Sequence, residues 1–450
     1  MTQSLTKKIG AFVAALDFAA IPEKATQTAR AGFVDCIGVM IAGRESDAPR
    51  ILQRVLAPGR GAATLGFTQS QVSAPEAAWI NGTAAHALDF DDMAVRGHPS
   101  TVLVPAILAE AEHLDASGAS MLTAYVAGYE TWAELALREK DSVHSKGWHP
   151  TGIWGAVAAA AACSSLRRLS AESTSVALAL GASQSAGLLA NFGTMTKPFH
   201  AGRSAHAGVV AARLAEAGFT ASTDALEHPQ GLLCAVSQHG NTDREAAPDT
   251  GTRWHIVREG LNIKQYPLCY CTHRCIDGLL ALVRESGCTA QDVESITAVI
   301  SDRYATILRN HRPKTGLEAK FSMEFAMAAT LTAGRVGLGE LTDDFVNRAD
   351  VQSLMRRVRI ETGSEYDSSN PDGAPYDQVR VQLKNGRVLE GSQVRRARGH
   401  ADLPFSNDDL YEKFELCLDS VGAKTDAALL FDRLMSLETI SARQLTSVRS

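Results

Sequence analysis

The apolar positions in the first half of the chain recur with a helical period. In residues 28–42, Phe33, Ile37 and Ile41 are four residues apart, and Gly43 follows the last of them. This spacing predicts an amphipathic helix that ends at the glycine. The same period recurs in six further segments, at 75–88, 101–114, 119–138, 151–166, 171–189 and 203–217. Because many of their faces carry Ala and Gly on more than one side, we expect helices that pack closely in a bundle.

The pattern changes near residue 254. Runs typical of strands, either β-branched or alternating between polar and apolar residues, occupy 296–300, 356–361, 378–383 and 387–390. The last two runs flank Asn385-Gly386, which is a strong signal for a β-hairpin. Helical patterns at 275–285 and 321–333 lie between the strands, and helical signals return after Pro404.

These patterns predict a mainly α protein with two domains. Residues 1–260 and 399–450 are expected to form a large all-helical domain, with the tail helices packed back on it. Residues 261–398 are expected to form a smaller α+β domain.

Composition and charge exclude several classes of function. The formal net charge is −6, so no overall field attracts nucleic acid or an anionic membrane, and an anionic substrate needs a local basic pocket. No apolar run reaches the ~18 residues of a membrane span, and the N-terminus lacks the apolar core of a signal peptide. Eight cysteines dispersed through such a chain are typical of reduced thiols, so we expect a cytoplasmic protein.

The first candidate segment ends a predicted helix in three carboxylates, at 81–92. His86 and Asp89 share a helical face, and His98 follows in Gly-His-Pro-Ser. The functional interpretation is a helix end and loop that present Asp89 and His98 to a cleft. The alternative is a solvated helix end with Ser100 as the cap of the next helix.

His149 stands at a predicted helix start, before Pro150. Backbone N–H groups and the helix dipole favour an anion there, and they lower the pKa of a histidine, which suits a neutral base. The alternative is a histidine that only stacks in a turn.

Residues 191–203 place Lys197, His200 and Arg203 between two predicted helices. Three potential cations in seven residues of an acidic protein indicate a site for a polycarboxylate. A solvated charge run is the alternative, although Pro, Phe and Met interrupt this one. Lys197 could also form a Schiff base, but its neighbours fit an ionic role better.

The segment 264–273 combines Cys269 and Cys271 with His273. A zinc site is the competing interpretation, but no second Cys/His group stands at partner spacing, so we predict no metal. His273 is the better candidate for a substrate contact. The sequence also lacks the nucleotide, flavin and covalent-serine motifs, which predicts that no cofactor is used.

Seven segments in order along the chain resemble the MmgE/PrpD family. They are GFVDCIGVMIAG near residue 32, NGTAAHALDFDD, GHPS, GWHPTGIWG, FGTMTKPFHAGRSAHAG, KQYP with the following His, and AKFSMEFAMA. The resemblance implies a helical domain, a smaller α+β domain, a homodimer, a site in the cleft between domains and no organic cofactor. It also implies five pocket residues, which are Asp89, His98, His149, Lys197 and His273.

Chemistry and resemblance together predict an enzyme that transfers a proton beside a carboxylate of a small di- or tricarboxylic acid. We assign catalysis to His149, Lys197, Asp89 and His98, and substrate binding to His273, Arg203, His200 and Tyr266. A dehydratase or decarboxylase of the 2-methylcitrate or cis-aconitate type is the leading prediction. Met93, where the decarboxylases of the family tend to have Thr, argues against decarboxylation. An epimerase of the iminodisuccinate type, a polycarboxylate-binding protein without activity and a zinc-dependent hydratase are the alternatives.

Overall fold

The computed structural model describes residues 4–368 and 372–448. Its internal contacts divide the chain into two compact units. The first unit contains residues 4–191, 195–262 and 406–448, and the second contains residues 192–194, 263–368 and 372–405. The predicted fold class, mainly α with a smaller α+β part, is confirmed.

The first unit is built from eleven helices before residue 260, among the described residues, and a short antiparallel strand pair. The helices are α1 Leu5–Ala15, α2 Glu23–Gly43, α3 Asp47–Leu56, α4 Ala74–Ala87, α5 Ser100–Leu114, α6 Gly118–Arg138, α7 Pro150–Leu166, α8 Ala171–Ala182, α9 Thr196–Glu216, α10 Leu232–Val236 and α11 His255–Glu259. The strands are β1 Arg60–Thr64 and β2 Gln71–Val72.

The second unit combines a four-stranded mixed sheet with helices. Its elements are α12 His273–Ser286, β3 Val293–Ser301, α13 Asp302–Ile307, α14 Gly316–Ala319, α15 Met323–Ala333, α16 Asp343–Val346, α17 Ala349–Met355, β4 Val358–Gly363, β5 Gln378–Leu383 and β6 Val388–Glu390. The strand order is β4-β3-β5-β6; β3 and β4 are parallel and the other pairs antiparallel. The predicted hairpin is the β5–β6 pair, with Gly386 at a φ of 85° in its turn.

Three tail helices complete the first unit. They are α18 Asn407–Asp419, α19 Ala427–Met435 and α20 Ala442–Thr446, and both α18 and α19 pack on α2. In the part of the chain that the structure describes, five 3₁₀ turns connect elements, at Phe18–Ala20, Leu189–Asn191, Tyr270–Thr272, Leu338–Leu341 and Leu437–Thr439. Among the described residues, no helix combines the length and the apolar character that crossing a bilayer requires.

Close helix crossings fix the centre of the first unit. A Cβ atom at Gly202 of α9 would collide with the backbone of Trp79 on α4, and one at Gly208 would collide with Ala159 on α7. Glycine at these points therefore lets the backbones of α4, α7 and α9 approach each other. As a result, the end of α4 and the beginnings of α7 and α9 come together.

Helix α9 begins at Thr196, whereas the sequence pattern predicted a helix only from residue 203. That prediction was wrong, because Pro198 lies in the first turn, where a helix tolerates proline without losing a hydrogen bond. Lys197, His200 and Arg203 therefore lie on the first two turns of α9 and not in a loop.

Candidate functional site

Four imidazoles meet where α4 ends and α7 and α9 begin. The ring of His86 lies 4.5 Å from that of His98 and 5.8 Å from that of His149, between ring centres. His149 in turn lies 5.4 Å from His200. The first unit thus brings together the predicted residues His98, His149 and His200, and adds His86 to them.

A buried ion pair connects α9 with the chain after α4. The ammonium Nζ of Lys197 lies 2.6 Å from Oδ1 of Asp89, and their side chains are only 5% and 4% exposed. Asp89 has a φ of 51°, in the left-handed region that usually holds Gly or Asn after a helix. An aspartate held there costs about 1–2 kcal/mol, which is typical of backbone that serves a site.

Asp91 lies between two of the imidazoles and is fully buried. Its Oδ1 is 2.9 Å from Nδ1 of His86, and its Oδ2 is 2.7 Å from Nδ1 of His98. The same Nδ1 of His98 is 3.0 Å from the carbonyl of Asp92. The His98 amide donates to the hydroxyl of Thr151, on the first turn of α7. Both the ring and the main chain of His98 are therefore held.

His149 and His200 contact each other through their Nδ1 atoms, 3.2 Å apart, so one ring donates to the other. Burial, and after it the charge of Lys197, lowers the pKa of His149 well below its usual value. The same two causes lower the pKa of His200 to about 4. For His86, burial lowers the pKa to about 3 even though Asp91 opposes this shift. These imidazoles are neutral near pH 7 and able to accept a proton.

A second ion pair lies next to the same loop. Nζ of Lys413, on α18, lies 2.5 Å from Oδ1 of Asp35 and donates to the carbonyl of Phe90 at 2.7 Å. Burial, followed by the charge of Asp35, raises the pKa of Asp92 well above its usual range. No local sequence pattern indicates that Lys413, more than 300 residues further along the chain, contacts this loop. His86 and Asp91 lie in the candidate segment 81–92, but the sequence analysis assigns neither of them to the site.

The remaining residues predicted to bind substrate contact side chains outside the imidazole cluster. They are Arg203 in the first unit and Tyr266 and His273 in the second. The guanidinium of Arg203 lies 5.5 Å from the ring centre of Trp79, and its Nη1 is 3.0 Å from Nδ1 of His206. In the second unit, the His273 ring lies 5.1 Å from that of Tyr266. The Tyr266 hydroxyl donates to Asp277. Their assignment to substrate binding stays a prediction.

Composition alone would allow a cation at this site. Within residues 4–368 and 372–448, only His86, Asp89, Asp91 and His98 bring metal-ligand atoms together, within 4.8 Å of one another. The donor set fits a metal poorly, because both oxygens of Asp91 already face imidazole nitrogens and Lys197 already neutralises Asp89. We therefore assign no metal to it. Cys269, Cys271 and Cys275 are buried thiols outside any such group in the described chain.

Comparison with known proteins agrees with the fold and confirms the resemblance noted from the motifs. The MmgE/PrpD N-terminal domain matches residues 7–245, and the MmgE/PrpD C-terminal domain matches residues 266–436. A cis-aconitate decarboxylase of Mus musculus is 26% identical over 94% of this chain and 89% of its own length. One of Homo sapiens is 26% identical over 92% and 88%, and one of Aspergillus terreus is 24% identical over 81% and 79%. With both domains matched over most of its length, the chain belongs to the MmgE/PrpD family.

Proposed function

We propose that this protein is a cofactor-independent lyase that transfers a proton at the carbon beside a carboxylate of a small di- or tricarboxylic acid. The observation that carries the proposal is a buried ammonium, Lys197, beside imidazoles that burial keeps neutral. A fixed cation can bind a carboxylate, and a neutral imidazole can accept a proton. The relatives named cis-aconitate decarboxylase support a lyase and a polycarboxylate substrate.

In the proposed mechanism, Lys197 holds a carboxylate of the substrate, and the imidazoles of His98 and His149 transfer the proton. Decarboxylation breaks the C–C bond to one carboxylate, and its electron pair moves into an enolate-like anion that the ammonium stabilises. CO₂ leaves, and a protonated group of the site returns a proton to the carbon. In dehydration, His149 instead removes the proton from that carbon, and the β-hydroxyl leaves as water after it accepts a proton.

Asp89 has a separate part in this proposal. It holds the Lys197 ammonium 2.6 Å from its own Oδ1 until the substrate binds. A substrate carboxylate that enters the site then shares the ammonium with Asp89, so Asp89 determines where Lys197 binds the carboxylate.

We further propose that the protein is a homodimer. Light scattering on the purified protein tests this proposal directly.

Proton NMR in D₂O tests the reaction. Citrate, 2-methylcitrate, cis-aconitate, trans-aconitate and iminodisuccinate are each incubated with enzyme. New vinyl signals from one acid, with or without release of CO₂, are expected and distinguish a decarboxylase from a dehydratase. The matched control is the Asp89→Asn/Lys197→Met protein, in which those signals should disappear.

Three other outcomes contradict the proposal of a cofactor-independent lyase. Deuterium that enters an α-carbon without a new product identifies an epimerase. Binding of an acid, seen as a rise in Tm, without turnover or exchange identifies a polycarboxylate-binding protein. Zinc close to one per chain in the purified protein, with activity lost on chelation, would support the zinc-dependent hydratase instead.

A further inference from the structure

We infer that Asp91 is a positioning residue that holds the ring protons of His98 and His86 on Nδ1, so that Nε2 is the nitrogen of each ring that gains or loses a proton. This inference rests on the proposed function, because it specifies which nitrogen of His98 handles the proton. Asp91 acts through His98 and has no assigned contact with the substrate.

The hydrogen-bond inventory of the groups leads to this tautomer. An ionised carboxylate only accepts hydrogen bonds, and each oxygen of Asp91 lies within 2.9 Å of an imidazole Nδ1. The Nδ1 of His98 also faces the carbonyl of Asp92 at 3.0 Å, and a carbonyl likewise only accepts. Both neighbours of that nitrogen therefore require a proton on it.

The burial of this group makes the arrangement costly to change. The side chains of Asp91 and His86 are 0% exposed and that of His98 is 12% exposed, so water cannot easily replace a lost partner. Without His86, Oδ1 of Asp91 would lose its hydrogen-bond donor, and without His98, Oδ2 would lose the neighbouring Nδ1. Asp91 thus lies against both rings, whose centres are 4.5 Å apart, and the carbonyl of Asp92 holds His98 as well.

The tautomer has a chemical consequence. When Nε2 of His98 accepts a proton, the ring becomes an imidazolium whose Nδ1–H already faces the carbonyl of Asp92. The carboxylate of Asp91, 2.7 Å from the same nitrogen, stabilises the charge that forms. The three aspartates of the loop therefore have different roles. Asp89 forms an ion pair with Lys197, Asp91 orients the imidazoles, and the carbonyl of Asp92 accepts from Nδ1 of His98.

Substitution of Asp91 by asparagine reverses one of these contacts. An amide has one accepting oxygen and one donating nitrogen, so it accepts from only one Nδ1–H. The carbonyl of Asp92 still accepts from His98, so His86 is the ring whose proton should move to Nε2, and His98 loses the negative charge beside it. We expect kcat of Asp91→Asn to fall by about 10²- to 10⁴-fold, with a change in KM of less than about tenfold. Asp92→Asn is the matched control, because it makes the same change one residue away, and it should lose less than about tenfold.

Nitrogen NMR of protein labelled with ¹⁵N-histidine reads the tautomers directly. The resting wild-type protein should show His86 and His98 as Nδ1–H forms, with the signals assigned by His86→Gln and His98→Gln. In Asp91→Asn, one of the two should become an Nε2–H form, and in Asp92→Asn neither should.

Wild-type rings protonated at Nε2 would overturn the inference, even if the Asp91 variant failed to fold. Unchanged tautomers together with wild-type kcat in Asp91→Asn would overturn it as well. The spectrum of the resting protein needs no substrate. An enzyme inactive on every acid with both rings in the Nδ1–H form would therefore contradict the proposed function and leave the tautomers supported.

Discussion

The first unit contains two buried lysine–aspartate pairs with almost the same geometry. Lys197 and Asp89 are 2.6 Å apart and Lys413 and Asp35 are 2.5 Å apart, and no side chain of the four is more than 6% exposed. Distance and burial therefore do not distinguish the pair that we propose to serve the reaction from the pair that joins α18 to α2. Their surroundings do.

The pair on α18 and α2 joins two regular helices. Its lysine satisfies a further backbone group, the carbonyl of Phe90, and lies 4.1 Å from the centre of that ring. The pair at the site has an aspartate on left-handed backbone, and its lysine lowers the pKa of nearby imidazoles. The charge of Asp35 also shifts the pKa of a neighbour, Asp92, so a shifted pKa alone does not distinguish the two pairs. The left-handed backbone of Asp89 and the imidazoles beside Lys197 do.

Neutralising the site pair should have the largest effect on activity. In Asp89→Asn/Lys197→Met, both charges disappear together, and Asn tolerates the left-handed backbone of residue 89. We expect kcat/KM to fall by about 10³-fold or more, because the fixed cation that stabilises the anionic intermediate is lost. Steady-state assays on the substrate that NMR identifies measure this. Activity within tenfold of wild type would place the reaction elsewhere.

Breaking the pair on α18 should instead reduce stability. Lys413→Met leaves Asp35 buried without its counter-charge, which should cost about 3–5 kcal/mol of unfolding free energy. The matched variant Asp35→Asn/Lys413→Met leaves no unpaired charge and should cost less, with kcat within about tenfold of wild type. Urea unfolding measures both. Equal losses in the single and double variants would show that the charge is not the cause.

The pH dependence of stability should also reflect the site. Burial lowers the pKa of His86 to about 3 and that of His200 to about 4, from an ordinary value of 6.5. The unfolded chain therefore binds these protons first as the pH falls. The stability they provide is complete above pH 6.5 and is lost toward pH 4, at about 1.4 kcal/mol per pH unit for each histidine.

His200→Asn should lower the slope of unfolding free energy against pH by about 1.4 kcal/mol per pH unit, the contribution of one histidine. The exposed His113, on α5, provides the matched control, and His113→Asn should leave the slope unchanged. Unfolding free energies measured by urea at several pH values between 6.5 and 4 decide this. A slope that His200→Asn does not change would mean that this imidazole is not held neutral in the fold.

Sequence patterns identified both residues of the pair at the site, Asp89 and Lys197. They did not identify the pair of Lys413 and Asp35. Asp89 and Lys197 lie at ends of helices, where periodicity stops and Gly or Pro appears, so both could be identified locally. The contact of Lys413 with Phe90 depends on how α18 packs, and no local pattern encodes it. The roles of His86 and Asp91 depend on which nitrogen faces which oxygen, and only the structure gives that.

The smallest expected effect concerns backbone strain in the loop that follows α4 and leads to His98. Val95 and Arg96 have φ values of 44° and 65° in a two-residue turn, closed by reciprocal hydrogen bonds between Ala94 and Gly97. Such turns favour Asn and Gly, and a β-branched valine is strained there. The side chain of Trp132 donates to the carbonyl of Val95 and helps to hold this conformation.

Val95→Asn should therefore raise the unfolding free energy by about 0.5–1 kcal/mol, since it relieves strain while the backbone contacts of the turn remain. Ala57→Asn is the matched control, because Ala57 has the same φ of 44° at the exposed end of α3 but has no β-branch. The gain at residue 95 should exceed the gain at residue 57. If thermal unfolding shows that Val95→Asn is less stable than Ala57→Asn, the packing of the valine side chain outweighs the strain of its backbone. The left-handed backbone of Asp89 would then remain the only strain that distinguishes the site pair from the pair on α18.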